Sequence, residues 1–357
     1  MNNKTTYTRF ASEANTSPHS KLRNRRLDCE LGSFSITALW VLAILSLLSV
    51  SFARDILLAF RFENYALQAS RAEWLARSGV YHALAVLQAD AAQDSLRPYD
   101  AFTETWAHRP ETFKDIALGQ GYFEVSYKNT DEPNVIYGVM DENRKINLNR
   151  AQPEALLRLP GMTGEKLAAL LDWIDPDDRA RPNGAERTFY AALNPPYDCK
   201  NAALTTLDEL ILIRGFSRED IRNWQSLATV YGDGSVNINT APANVLKLLG
   251  MPESLTEKII AARWGADGIA FTPDDFVFDS PALIPQKLKQ RQKLSLGEQV
   301  ILNRLTTTKM LDVRSTHFKI DAYGVTMNGQ IQRKATAFAQ RAATGEMQIL
   351  GWQEGGQ

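Results

Sequence analysis

Cysteine and histidine are scarce in this chain. Two cysteines occur in 357 residues, Cys29 and Cys199, and a long apolar run separates them. An intramolecular disulfide is therefore not expected, and neither cysteine has neighbours at metal-site spacing. The four histidines, His19, His82, His108 and His317, are scattered. No His-Glu-x-x-His pair, Gly-x-Ser-x-Gly elbow or phosphate-binding loop occurs, so the sequence points away from an enzyme. Trp74, Trp106, Trp173, Trp224 and Trp264 are equally scattered and read as packing residues. A charge excess is missing too: 40 basic residues face 41 acidic ones, a net charge of −1. That balance calls for neither nucleic acid nor an anionic membrane surface as partner.

Charge is also absent locally. Between Glu30 and Arg54 there is none, which leaves an uncharged window over residues 31–53. As a helix this window is roughly 35 Å long, enough for a hydrocarbon core of about 30 Å. Lys21, Arg23, Arg25 and Arg26 precede it and favour a cytoplasmic N-terminus. An ordinary signal peptide would end at a turn and a small-residue cleavage site. Here the helical pattern continues, because Leu58, Phe62, Tyr65, Ala69, Ala72, Ala76, Val80, Ala83 and Leu87 recur at spacings of three and four. One continuous helix from about Phe34 to Asp94 is expected, apolar all round at first and amphipathic afterwards.

The middle of the chain repeats itself. INLNRAQPEALLRLPGM from Ile146 and VNINTAPANVLKLLGM from Val236 align with Asn147, Asn149, Ala151, Leu156 and Leu159 matching Asn237, Asn239, Ala241, Leu246 and Leu249. The Asn-x-Asn pair is expected to turn the chain into a helix and cap it. Pro153 and Pro242 suit a first turn, and a glycine ends each helix. LDELILIRGFSREDIRNW, from Leu207 to Trp224, has the same helix, Gly turn, helix form. Residues 146–290 therefore read as a helical domain of helical hairpins. Such units resemble the helix-hairpin-helix module, which holds the DNA backbone through hairpin amides. DNA binding is thus the alternative reading. Glu165, Glu219, Asp220, Glu253 and Glu257 open the second helices and would repel phosphate.

Alternating segments lie on both sides of this domain. GYFEVSYKN and NVIYGVMD flank the turn-rich TDEP and read as a hairpin. HFKIDAYGV, QIQRKATAFAQR and MQILGWQE read as a three-stranded meander. The expected fold is α+β, a long N-terminal helix packed on one antiparallel sheet with an all-helical domain inserted between strands. One acidic loop stands out. DWIDPDDRARPNGAER carries Asp172, Asp175, Asp177, Asp178 and Glu186. Closely spaced carboxylates suit a hard cation such as Ca²⁺, and they equally suit a solvated turn with Asp caps.

A membrane-crossing helix that continues as a stalk onto a small sheet resembles the type IV pilins and pseudopilins. In that group a prepilin peptidase cuts on the cytoplasmic side, after a Gly just before the apolar run. Gly32 stands there, so the resemblance implies cleavage between Gly32 and Ser33. It implies a leader over 1–32, a transmembrane part over 33–53, and a stalk with the first part of the pilin-like domain over 54–145. The helical domain then covers 146–290, and the rest of the pilin-like domain 291–357. Position five after cleavage is normally Glu, and here it is Thr37. With GSFSITALWVLAILSLLS, INLNRAQPEAL, LLDWIDPDD, VYGDGSVNINTAP and HFKIDAYG, this departure resembles the K-type minor pseudopilins of type II secretion.

The resemblance implies a non-enzymatic, single-pass inner-membrane protein with most of its chain in the periplasm. It would cap a pseudopilus and help start its assembly. Implied partners are I-type and J-type minor pseudopilins, the major pseudopilin, the inner-membrane platform with its cytoplasmic ATPase, and the prepilin peptidase. The stripe Leu58, Phe62, Tyr65, Ala69, Ala72 and Ala76 would serve partner helices as well as the chain's own sheet. Relatives bind calcium in the helical domain, which makes Asp175, Asp177, Asp178 and Glu186 the candidate ligands; Arg187 stands where relatives often carry a further acid.

Overall fold

The structure is a computed structural model describing residues 21–93, 97–128, 135–327 and 329–356, with side chains described from residue 34. The TDEP turn between the first strands and Asn328 lie outside the described residues. The chain divides into two units, Met1–Leu67 and Gln68–Gln357.

Helix α1 spans Lys21–Ala91. In the first unit its large apolar side chains from Phe34 to Leu67 are all exposed. Its small polar groups turn back onto the helix. The hydroxyls of Thr37, Ser46 and Ser49 donate to the carbonyls of Phe34, Leu42 and Leu45 at 2.9, 2.8 and 2.8 Å. Such back-bonding suits hydrocarbon, where no water can satisfy a hydroxyl. Among the described residues this is the one helix long and apolar enough to cross a membrane.

The second unit is built in chain order. After α1 come α2 (Pro110–Phe113), β1 (Ile116–Leu118), β2 (Gly121–Lys128), β3 (Val135–Tyr137) and β4 (Met140–Asp141). The inserted region follows with β5 (Ile146–Asn147), α3 (Pro153–Leu156), α4 (Gly164–Ile174), α5 (Arg187–Ala191), α6 (Arg218–Trp224) and β6 (Ala228–Thr229). It continues with β7 (Val236–Asn237), α7 (Ala243–Leu248), α8 (Glu253–Arg263), α9 (Ile284–Arg291), α10 (Leu296–Thr307) and β8 (Leu311–Asp312). The chain ends in β9 (His317–Thr326), β10 (Gln332–Arg341) and β11 (Met347–Gly356).

The main sheet has the order β1-β2-β9-β10-β11, all antiparallel, with β3 on β2 and β4 on β9. The expected hairpin and meander are thus parts of one sheet. Alternation places Phe123, Val125, Phe318, Ile320, Ala322, Ala335 and Ala337 in one buried cluster with Ala76, Val80, Ala83 and Leu87 of α1. Small residues set the distance between the layers. A Cβ on Gly324 would lie 2.0 Å from the Ala72 carbonyl oxygen and 2.4 Å from the Ala76 nitrogen, so only glycine fits there.

The inserted region has its own core, including Leu156, Leu170, Trp173, Tyr190, Trp224, Leu246 and Leu255. Leu302, Leu305, Leu311 and Val313 belong to the same cluster, so this core reaches beyond residue 290. Each Asn-x-Asn copy opens on a two-residue parallel bridge: β5 pairs with β6, and β7 with β8. Gly161, Gly215 and Gly250 take φ values of 74°, 86° and 88° at the turns where helix-ending glycines were expected.

The Asn residues do not cap the helices that follow. Gln152 and Pro242 stand at those cap positions, without a side-chain cap. The first Asn of each pair accepts from the backbone two residues on, with Asn147 Oδ1 receiving Asn149 N at 2.8 Å and Asn237 Oδ1 receiving Asn239 N at 2.9 Å. Their amide groups then reach across the chain. The Oδ1 that a helix cap would use is instead taken by the backbone N–H two residues on, which leaves the Nδ2 group free to donate to distant carbonyls.

Candidate assembly face and cation site

The predicted helix stripe is divided by the fold. Leu58, Phe62 and Tyr65 are exposed and Ala69 is half-buried. Ala72 and Ala76 are closed off by the chain's own sheet and offer no surface to a partner helix. The sequence pattern cannot separate these two sections, because both keep the same period. The outward face of α1 in the second unit carries Trp74 and Tyr81. Arg77 lies 4.7 Å from the Trp74 ring centroid and pairs with Glu354 of β11 at 2.8 Å, while Tyr81 lies 6.3 Å from Trp352. Helix and terminal strand thus share one aromatic and charged edge. Gly32 and Ser33 lie on the α1 backbone, ahead of the described side chains.

The acidic loop is sorted by burial. Asp172, at the end of α4, and Glu186, just before α5, are buried. With Asp175 they place one carboxylate oxygen each within 4.8 Å of one another. Gly184 permits this, because a Cβ there would lie 1.9 Å from Asp172 Oδ2. Arg181 joins Asp172 at 2.8 Å and also pairs with Asp175. Asp177 and Asp178 lie outside the cluster and brace the loop. Asp177 accepts from Arg179 N at 2.9 Å, and Asp178 accepts from Asn201 Nδ2 at 3.0 Å. Arg187 pairs at the surface with Asp198 at 3.3 Å. Asp172, on the buried face at the end of α4, thus stands in the cluster where Asp177 and Asp178 were expected.

Glu186 is the unusual member. Both of its oxygens, and Oδ1 of Asp175, are buried with no hydrogen-bond partner of ordinary geometry among the described residues. The Cys199 thiol, which donates to the Asp172 carbonyl at 3.8 Å, lies alongside. Burial first, then the charges of Asp172 and Asp175, raise the Glu186 carboxyl above its ordinary range. Burial also pushes the Cys199 thiol up to about 11, so it is not a ready thiolate.

A buried polar joint holds the inserted region to the sheet. Asp141 of β4 accepts from Ser315 Oγ at 2.6 Å, Thr240 Oγ1 at 2.5 Å and Asn237 Nδ2 at 3.3 Å. Asn237 also donates to the Asp100 carbonyl at 3.0 Å. Arg341 of β10 pairs with Asp100 at 2.8 Å and with Asp90 of α1 at 2.9 Å. Glu104 Oε2 accepts from Ala101 N and Trp106 Nε1 at 3.0 and 2.9 Å. Burial, then Asp90 and Asp100, push its carboxyl up to about 8. Nothing local in the sequence marks these residues, since their partners lie far along the chain.

Comparison with known proteins fits this architecture. The family model described as type II secretion system (T2SS), protein K matches residues 135–233, which hold β3, β4 and the first half of the inserted region. The type II secretion system protein K of Klebsiella pneumoniae is 25% identical over 244 residues, 64% of this chain and 72% of that protein. Over these residues the chain is similar to the type II secretion protein K family. Its fold is similar to that of a chain in the crystal structure of the GspK-GspI-GspJ complex from the enterotoxigenic Escherichia coli type 2 secretion system. That likeness has a TM-score of 0.61 at 17% identity and covers 84% of this chain and 100% of the other.

The DNA-binding alternative finds no support in these similarities. Thr163 and Ser217 accept from the first-turn amides of Lys166 and Asp220. Those amides are what a phosphate would need.

Proposed function

We propose that this chain caps the tip of a type II secretion pseudopilus and helps start its assembly, for export of folded proteins across the outer membrane. The observation that carries the reading is Thr37, five positions into the chain expected after cleavage at Gly32. Where pilins carry an acid, its hydroxyl donates to the Phe34 carbonyl of its own helix. A side chain without a carboxylate has nothing with which to neutralise the terminal amine of another subunit, which suits the end of a fibre. The reading places α1 across the inner membrane and the second unit in the periplasm. I-type and J-type minor pseudopilins, the major pseudopilin, the assembly platform and the prepilin peptidase are its partners.

The test is to label the protein on isolated pseudopili and to sequence its N-terminus. One label at one end, on a chain starting at Ser33, is expected, with Gly32→Ala blocking maturation. Thr37→Glu is expected to spread label along the shaft. Label along the shaft in the wild type would overturn the tip reading.

The geometry also supports a structural Ca²⁺ held by Asp172, Asp175 and Glu186. Three carboxylates face one guanidinium, and the unpartnered Glu186 oxygens suit a hard cation that takes oxygen ligands. Calcium is expected to raise the thermal midpoint of the wild type and of Asp177→Ala, and to leave Glu186→Gln unchanged. An equal response in Glu186→Gln would remove that residue as a ligand.

A further inference from the structure

Between the sheet and the inserted region lies a cavity of about 200 Å³ lined by Lys128, Arg144, Lys145, Lys319, Gln225 and Asp321, among others. Arg144 is only 4% exposed. Its Nε is buried without a hydrogen-bond partner, and among the described residues no carboxylate pairs with its guanidinium. Its guanidinium lies over the Phe102 ring, 5.7 Å from the centroid. A buried, unpaired cation is strongly unfavourable, and a ring face offsets only part of that cost.

The neighbouring cations do not share this condition. Lys145 is matched by Glu142 at 2.7 Å. Lys319 and Lys334 share the single carboxylate of Asp321 at 3.0 and 3.1 Å. Burial would raise that carboxyl, yet the two lysines and Thr336 hold it below the ordinary range. The cavity therefore carries surplus positive charge, concentrated at the one guanidinium with free donors.

We propose that Arg144 is the base of a carboxylate-binding pocket that receives one acidic side chain from a segment of a neighbouring protein. A guanidinium presents a planar fork of donors that matches a carboxylate in two hydrogen bonds. The cavity has room for such a group with a few waters, each taking about 30 Å³. Asp321 in the wall favours a singly charged carboxylate over a doubly charged phosphate. Lys128, exposed on β2, adds long-range attraction at the mouth. This inference stands independently of the tip reading.

The test uses the full chain in non-ionic detergent and calorimetric titration with capped Gly-Glu-Gly, capped Gly-Gln-Gly and inorganic phosphate. Saturable binding of the Glu peptide is expected, at least tenfold tighter than the Gln peptide. Arg144→Gln is expected to lose that preference, and Lys128→Gln to weaken binding about two- to threefold, as a peripheral charge does. Lys128→Gln lies on the surface and keeps the test open should Arg144→Gln not fold. Equal binding of the two peptides, unchanged affinity in both variants, or tighter binding of phosphate than of the Glu peptide would overturn the proposal.

Discussion

In the first copy of the Asn-x-Asn repeat the amides brace the inserted region against itself. Asn147 donates to the carbonyls of Tyr231 and Gly232 at 2.8 and 2.7 Å, and Asn149 to those of Leu204 and Val230, both at 3.0 Å. In the second copy the same amides also reach outside the repeat. Asn237 meets Asp100, Asp141 and Ser315, and Asn239 meets Phe278 and Asp100. One local motif, with one backbone turn, thus serves as an internal brace in one copy and as the joint to the pilin-like sheet in the other. A repeat of sequence preserves the conformation. The neighbours decide the mechanical role.

The comparison can be broken most sharply at Asn237. Asn237→Ala strips partners from a buried network around Asp141 and is expected to cost about 3 kcal/mol, read as a lower thermal midpoint of the chain in detergent. The equivalent Asn147→Ala is expected to cost about half as much, because its carbonyl partners lie nearer water. Equal losses would mean that the second copy is no more of a joint than the first.

A pH experiment isolates the same joint. Burial pushes the Asp141 carboxyl from its ordinary 3.8 up to about 6, against the pull of Ser315 and Thr240. The folded chain therefore binds this proton more tightly than the unfolded chain. That stabilisation is fully present below about pH 3.8 and is lost as pH rises through about 6. Asp141→Asn is expected to flatten this part of the stability profile relative to the wild type. Parallel profiles would show that Asp141 does not titrate within the joint.

The smallest expected effects lie where the copies are alike. Gly161→Ala and Gly250→Ala each force a side chain into the left-handed region, at φ 74° and 88°. Each is expected to cost about 1–2 kcal/mol, with no difference between copies. A marked difference in measured midpoints would show that the turns, and not only the Asn partners, are specialised.

Much of the fold was legible because its signals are local. The uncharged run before Arg54 marks the exposed first part of α1. Alternation marks β2, β9, β10 and β11, and the glycines mark the left-handed turns. The limits are equally physical. The period that buries Ala72 and Ala76 also runs through the exposed Leu58 and Phe62, so periodicity could not tell a sheet-covered face from an open one. In the acidic loop the sequence shows five carboxylates with no depth attached. Asp172 and Glu186 meet because α4 ends and α5 begins at the same buried place, while Asp177 and Asp178 stay in the turn.

The sequence by itself determined that this chain carries one long apolar helix, an antiparallel sheet and a repeated helical insertion, since hydrophobic period and turn chemistry act over a few residues. Only the tertiary structure decided that Asn237 ties the insertion to Asp100 and Asp141, that Arg341 links β10 to Asp90 of α1, and that Arg144 is buried without a counter-charge among the described residues. Those outcomes depend on which distant groups share a low-dielectric space, where an unmet charge or amide is too costly to leave to chance.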